Sequence, residues 1–169
     1  MVRIELKTPI AAPIERCFDL SRSIDLHVAS THGTGESAIA GITTGLIGMD
    51  QTVTWKGRYF GLTVTHRSLI TAFDRPRHFR DSMLRGAFRS YTHDHYFEPR
   101  DGGTLMTDVM DFAVPLGPLG KLVEVLVLER HMRIFLEHRN AFVKRVAEST
   151  QWRSYLLTDA EPGSPVAVP

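Results

Sequence analysis

Alternating apolar and charged side chains over the first ten residues predict a strand with one buried face. Pro13 suits the first turn of a helix, and the apolar spacing after it predicts a short helix there. A second short helix is predicted over residues 23–30, and residues 31–37 are expected to form a loop. The chain therefore begins with one strand and two short helices.

The pattern changes near residue 36, where β-branched and aromatic residues recur between turn-forming residues. Strands are predicted over residues 36–44, 50–58, 59–73, 77–84, 88–99 and 104–115. The last two are joined by Arg100-Asp101-Gly102-Gly103, and a short connection that contains two glycines is typical of a hairpin. The middle of the chain therefore predicts an antiparallel meander.

The pattern becomes helical after residue 120. From Lys121 to Glu148 there is no proline or glycine, and large apolar side chains recur at helical spacing. A helix of this length extends roughly 40 Å, so it needs a large surface to lie on. Residues 151–157 would prolong it, and the proline-rich end is expected to be a flexible tail.

This order of elements predicts an α+β fold. A sheet of about seven antiparallel strands curls, so the long C-terminal helix would lie in its concave face while the two short helices close one end. A single domain would cover residues 1–150, and the helix extension and tail would cover residues 151–169.

Composition narrows the class of protein. The 169 residues are 43% hydrophobic and 23% charged with a formal net charge of +1, which is typical of a soluble domain and disfavours nucleic acid as a partner. The one cysteine, Cys17, cannot form an internal disulfide, so we expect a cytoplasmic protein. No segment has the apolar core of a signal peptide or the length of a membrane span.

The segment 73–120 carries a set of residues that resembles one protein family. The set is Pro76, Phe79, Asp81, Gly86, Phe88, His93, His95, Phe97, Gly102, Gly103, Thr104, Asp108, Pro115, Gly117 and Gly120. It resembles the bacterial polyketide cyclase/dehydrase and coenzyme-Q-binding-like branch of the START-like, or SRPBCC, superfamily. The resemblance covers residues 1–148 and implies the helix-grip fold, with an internal cavity for an apolar or amphipathic small molecule. Members include carriers, sensors, cyclases and hydrolases, so the fold does not decide the function.

Two histidines one residue apart are the most distinctive candidates for chemistry. Residues two apart on a strand share a face, so a row of four would line the cavity: Tyr91, His93, His95 and Phe97. The alternate row would face solvent: Asp94, Tyr96 and Glu98. The first row is amphipathic and low in charge, which suits the concave side of the sheet.

The pair could bind a metal, act as a general base or orient a polar ligand group. A metal needs a third ligand, for which Asp108 and Asp111 on the next strand are candidates. We expect no metal, because histidines that line pockets are commoner than open ligand sets. A buried Asp108 would need a partner such as a histidine across the hairpin, although the register is left open. Asp81 is expected to form a structural ion pair, with Arg139 as a candidate partner.

The residues expected to line the cavity come from the predicted strands and the long helix. They are Trp55, Phe60, Val64, His66, Phe79, Met83, Tyr91, His93, His95, Phe97, Met106, Asp108, Met110, Phe112, Met132, Phe135 and Arg139. The candidates for a catalytic role are His93, His95 and Asp108. Each also has a purely structural interpretation; His66, for example, could be a hydrogen-bonded core histidine.

Three functions fit these features. The first is binding of a hydrophobic or aromatic small molecule, such as a lipid, a quinone or a polyketide-like compound. The second is an enzyme of the polyketide cyclase/dehydrase type, a lyase without metal, in which a cavity histidine is the general base. The third is an interaction module with a closed cavity, which would dimerise. No cofactor is expected, and the partners considered are a small hydrophobic ligand and a second copy of the chain.

Overall fold

Seven antiparallel strands form one sheet in the order β1-β7-β6-β5-β4-β3-β2. The computed structural model describes residues 1–31, 35–59, 61–114 and 127–157. The strands are β1 Val2–Ile10, β2 Ser37–Gly41, β3 Thr52–Tyr59, β4 Leu62–Asp74, β5 His78–Arg85, β6 Ser90–Arg100 and β7 Gly103–Ala113. Consecutive strands from β2 to β7 are neighbours, and β1 pairs with β7, so the first strand closes the meander.

Four helices lie in the described residues: α1 Ile14–Ser21, α2 Ile24–Ser30, α3 Glu129–Ala147 and α4 Trp152–Leu156. The first follows Pro13, and the Ser23 hydroxyl caps the second by accepting from the Leu26 amide at 3.3 Å. The long α3 packs against β1, α1 and α2. No helix in the described part of the chain combines the length and the apolar character needed to cross a bilayer.

The predicted α+β helix-grip architecture is confirmed, with a curved seven-stranded sheet, two short helices after β1 and a C-terminal helix. The α-helix starts at Glu129, and residues 121–126 of the predicted long helix lie outside the described residues. The predicted extension is a separate short helix, α4, rather than a continuation of α3. Residues 158–169 of the predicted tail also lie outside the described residues.

Phe18 of α1 organises the larger part of the core. Its ring meets the rings of Phe73, Phe79 and Phe97 edge-on, with centroids 5.3, 5.4 and 5.4 Å apart. Cys17 beside it is fully buried, as a small hydrophobic residue would be. These contacts hold α1 across one end of the sheet, so the inward-facing rows of β5 and β6 are packed core at this end.

The register of the three central strands decides which polar groups meet. In the β6–β7 hairpin Arg100 pairs with Gly103, so Asp101 and Gly102 form a two-residue turn in which Gly102 takes a φ of 79°. That register sets His95 directly opposite Asp108. On the other side of β6, Asp81 lies directly opposite His93. Two aspartates therefore flank two histidines on one face of the sheet.

On the opposite, convex face, Asp94 departs from the prediction. It was expected to face solvent, but only 6% of its side chain is exposed, because His78 and Arg80 cover it. The carboxylate accepts from His78 Nε2 at 2.6 Å and from Arg80 Nε at 2.8 Å. Burial acts to raise the pKa of Asp94, but the hydrogen bonds from Arg80 and His78 outweigh it and hold the pKa below its usual range.

Asp94→Asn should therefore lower the free energy of unfolding at neutral pH by about 1–2 kcal/mol, because the charge-assisted hydrogen bonds weaken. The folded-state pKa lies below the unfolded value of about 3.9, so this stabilisation is present above that pH and is lost as the pH falls. Urea unfolding of both proteins at pH 7 and pH 3 measures the change. The exposed Asp101→Asn is the control, and an equal deficit for Asp94→Asn at both pH values would contradict the expectation.

Candidate functional site

A cavity of about 290 Å³ lies between the concave face of the sheet, α2 and α3. Ten of the residues predicted to line it do so: Trp55, Val64, His66, Phe79, Tyr91, His93, Met110, Met132, Phe135 and Arg139. Phe60, which was also predicted, lies outside the described residues. The walls are mainly apolar or aromatic, with polar groups at a few positions.

Six predicted lining residues do not reach the cavity: Met83, His95, Phe97, Met106, Asp108 and Phe112. Phe97 and Met106 belong to the core under α1, and Phe112 belongs to a second core cluster with β1 and α3. His95 and Asp108 are buried at 2% and 0% exposure, deeper than His93. The inward-facing side chains of one strand line the cavity along part of its length and belong to the packed core along the rest. These residues therefore face inward without touching the cavity.

Several lining residues escaped the prediction. Helix α2 contributes Ile24 and His27, and the His27 ring stacks on Trp55 with centroids 4.2 Å apart. Strand β4 contributes Ser68, and the loop before β6 contributes Phe88. Period-two spacing places Ser68 on the same face of β4 as His66, but no pattern in the sequence shows how closely α2 approaches the sheet.

Asp81, His93, His95 and Asp108 form one buried group, which we call the Asp–His cluster. His93 Nε2 lies 3.0 Å from Asp108 Oδ1, and His95 Nδ1 lies 2.7 Å from the same oxygen. The opposite ring atoms, His93 Nδ1 and His95 Nε2, lie 3.8 and 3.5 Å from Asp81 Oδ2. The two rings are 3.9 Å apart between centroids. Each imidazole therefore lies between the two carboxylates, and Asp81 and His93 expose the cluster to the cavity.

Asp108 is anchored from α3. Asn140 Nδ2 donates to Asp108 Oδ2 at 2.7 Å, and Arg139 Nη1 lies 3.5 Å from Asp108 Oδ1. Arg139 also donates to the backbone carbonyl of Ser21 at 3.0 Å, which ties α3 to α1. The suggested ion pair between Arg139 and Asp81 is wrong, because the guanidinium reaches the β7 carboxylate instead.

Neighbouring side chains fix the orientation of the cluster. The Ser68 hydroxyl donates to Asp81 Oδ1 at 3.4 Å, which leaves Oδ2 towards the imidazoles. The Phe79 ring stacks on His95 with centroids 4.2 Å apart, and Tyr91 meets His93 edge-on. Asp111, the other suggested third ligand, belongs to the opposite face of β7 and takes no part.

Burial and mutual contact set the protonation of the cluster. Burial acts to raise the pKa of Asp108, but the hydrogen bonds from His93 and His95 outweigh it and hold the pKa well below its usual range. Burial likewise opposes ionisation of Asp81, yet the adjacent His95 and His93 leave its pKa lowered. Burial lowers the pKa of His93, and the neighbouring His95 lowers it further. The carboxylates are therefore ionised and His93 favours its neutral form.

His66 occupies a different part of the wall. Its ring meets Tyr91 edge-on with centroids 5.0 Å apart and Phe88 at 6.5 Å. Burial lowers the pKa of His66, which favours a neutral imidazole in the aromatic wall. His66 therefore offers a hydrogen-bonding tip within an otherwise apolar surface.

Solved structures share this architecture. TTHA0849 from Thermus thermophilus superposes with a TM-score of 0.67 at 16% identity, over 86% of this chain and 99% of that one. The chain has the helix-grip fold that these structures share. Ginseng major latex-like protein 151 from Panax ginseng gives a TM-score of 0.60 at 14% identity, over 88% of this chain and 98% of that one.

The di-domain ARO/CYC protein StfQ from the steffimycin biosynthetic pathway gives a TM-score of 0.67 at 14% identity. The match covers 87% of this chain and 50% of that di-domain chain. No family model matches the chain, and no curated protein matches it by sequence. At these identities the likeness establishes the fold and leaves the ligand and the chemistry to be argued from the site.

Asp108→Asn should destabilise the protein by about 3 kcal/mol or more, because it removes the negative charge from a buried group that contains Arg139. Equilibrium unfolding in urea measures the loss. Asp101→Asn, in the exposed turn between β6 and β7, is the control, and its effect should stay within about 0.5 kcal/mol. Equal, small effects of the two substitutions would show that Asp108 is not the anchor described here.

Proposed function

We propose that the protein binds a hydrophobic, ring-containing small molecule with one polar end in the cavity between the sheet and α3. This proposal rests on one observation: the walls of the cavity are mainly apolar, and the Asp–His cluster provides polar groups at one place in them. Binding pockets for small molecules have this character, since desolvation of apolar surface supplies affinity and a few polar groups fix orientation.

The walls suit a ring system. Trp55, Phe79, Phe88 and Tyr91 present aromatic surface to the cavity, and Met110 and Met132 add adaptable apolar contacts. The volume of about 290 Å³ is close to the lower limit of pockets for drug-sized ligands, roughly 300 Å³. Among a lipid, a quinone and a polyketide-like compound, a compact ring compound therefore fits better than a long acyl chain.

The polar end of the ligand would lie against Asp81, His93 and Arg139, which all line the cavity. Arg139 can donate to a carbonyl, phenol or carboxylate oxygen, and the free ring nitrogen of a neutral His93 can accept from a phenol or hydroxyl group. A cytoplasmic location and a homodimer remain predictions of the sequence.

An enzyme of the cyclase/dehydrase type is the second candidate, and one observation favours it. His93 lies in the cavity wall with Nε2 held by Asp108, which leaves Nδ1 available to accept a proton from a bound substrate. The structural neighbour StfQ is an ARO/CYC protein, which fits this alternative. Turnover of an aromatic polyketide precursor that is lost in His93→Gln would support it over simple binding.

Native mass spectrometry of the gently purified protein tests the binding proposal. We expect a fraction of the protein to carry a bound small molecule that organic extraction removes and that absorbs in the near ultraviolet. Anilinonaphthalene sulfonate should then bind to the extracted protein and be displaced by the extract. A protein that is repeatedly empty and does not bind the probe would overturn the proposal.

A cavity-filling substitution tests where the molecule binds. Val64 lines the cavity and pairs with Gly57 of β3, which also lines it. Val64→Trp should weaken binding of the probe at least about tenfold, because the indole would fill much of the cavity. Thr65→Trp is the matched control, since Thr65 is exposed on the opposite face of the same strand. Equal binding by both variants would place the probe elsewhere.

A further inference from the structure

Asp108 determines which nitrogen of His93 and of His95 carries a proton, and therefore which nitrogen of each ring remains a hydrogen-bond acceptor. Asp108 Oδ1 lies 3.0 Å from His93 Nε2 and 2.7 Å from His95 Nδ1, and a carboxylate can only accept. His93 Nε2 therefore carries the proton of its hydrogen bond to Asp108, and the short contact assigns a proton to His95 Nδ1 as well, although the angle there is not that of a hydrogen bond. In a neutral imidazole the remaining nitrogen is a lone-pair acceptor, so His93 Nδ1 and His95 Nε2 present lone pairs on the other side.

Those two lone pairs point to a third acceptor. Asp81 Oδ2 lies 3.8 Å from His93 Nδ1 and 3.5 Å from His95 Nε2, and its partner oxygen is engaged by Ser68. One ligand atom from each of Asp81, His93 and His95 lies within 4.8 Å of the other two. Both distances to Asp81 are too long for good direct hydrogen bonds. Three acceptors that converge in a buried place favour a cation between them.

The spacing fits a metal ion. Ligand atoms at about 2.0–2.1 Å from a tetrahedral zinc ion are about 3.4 Å apart, close to the separations of the two imidazoles from Asp81. Two histidines and one carboxylate are a ligand set that leaves a coordination position open. Asp81 and His93 line the cavity, so that position and the entry path both lie on the cavity side.

The surrounding contacts are those of a supported metal site. Metal-binding histidines usually donate their second nitrogen to a carboxylate, and Asp108 serves both imidazoles in this way. Asn140 and Arg139 hold Asp108 in turn, and Ser68 orients Asp81. No sequence pattern singles out Asp81 as the third ligand, because its place opposite His93 depends on the pairing of β5 with β6.

We propose that Asp81, His93 and His95 bind a divalent transition-metal ion, zinc being the expected one, at the polar end of the cavity. When both imidazoles are neutral, the two carboxylates and Arg139 together carry one net negative charge. A bound divalent ion changes the net charge to one positive. An anionic oxygen then suits the open position. This last step rests on the proposed binding function, while metal binding itself does not.

Metal binding and general-base catalysis by His93 exclude each other, because both need the single lone pair of Nδ1. The same experiment therefore separates the two roles. If the metal binds there, a carbonyl or phenolate oxygen of the ligand would be held by the ion instead of by His93.

Titration of the chelator-treated full chain with cobalt(II) alone tests the site. We expect one equivalent to bind with the visible absorption of a four- or five-coordinate ion, and zinc to abolish that absorption. Asp81→Asn and His93→Gln should each weaken cobalt binding at least about tenfold. His78→Gln is the matched control, because His78 also contacts an aspartate but lies on the convex face.

Histidine-selective NMR of the wild-type protein provides a readout that needs no variant. Zinc should shift the ring resonances of His93 and His95 and leave those of His78 unmoved. Absence of stoichiometric cobalt binding by the wild-type protein would overturn the metal site and leave the proposed function standing. Cobalt binding that survives both Asp81→Asn and His93→Gln would also overturn it, since the ion would then be bound elsewhere.

Discussion

The fully buried carboxylate of Asp108 is the constraint on which the interior depends. An ionised carboxylate without solvent is strongly destabilising unless nearby donors compensate it, and here the donors come from His93, His95, Asn140 and the guanidinium of Arg139. These groups belong to β6 and α3, so one charge links the hairpin register to the position of the long helix. Arg139 extends the link to α1 through the carbonyl of Ser21.

This arrangement also creates the cavity's polar end. Because Asp108 takes one nitrogen of each imidazole, the remaining nitrogens are turned towards Asp81 and the cavity. An interior designed only for stability would gain from apolar side chains at these positions, since buried ionic groups rarely add net stability. The presence of four such residues beside an apolar cavity is the physical reason to connect them with a ligand or an ion.

Period-two spacing was sufficient to predict which side of β6 faces inward. His93, His95 and Phe97 are buried on one face, as the alternation indicated. The same pattern could not predict depth, so Phe97 and Asp108 were assigned to the cavity although both lie in packed core or behind His93. It also failed for Asp94, because burial on the convex face comes from two neighbours on another strand, His78 and Arg80.

Long-range partners were the least predictable feature. Arg139 was a candidate partner for Asp81 because a buried carboxylate needs a counter-charge. Its actual partner depends on how α3 is rotated about its axis, and the guanidinium reaches Asp108. Whether α2 contributes to the cavity wall depends on how closely that helix packs against β3. The stacking of the His27 ring on Trp55 is such a contact. Local patterns specify the elements and their faces, while the packing of helices on the sheet specifies the site.

A high-resolution crystal structure of the protein, purified without extraction, tests most directly whether the Asp–His cluster is the polar end of a ligand cavity. We expect electron density for a ring compound against Trp55 and Tyr91, with a polar atom next to Asp81 and His93. A cavity closed by the protein's own side chains, with Asp81 and His93 turned away from it, would contradict this.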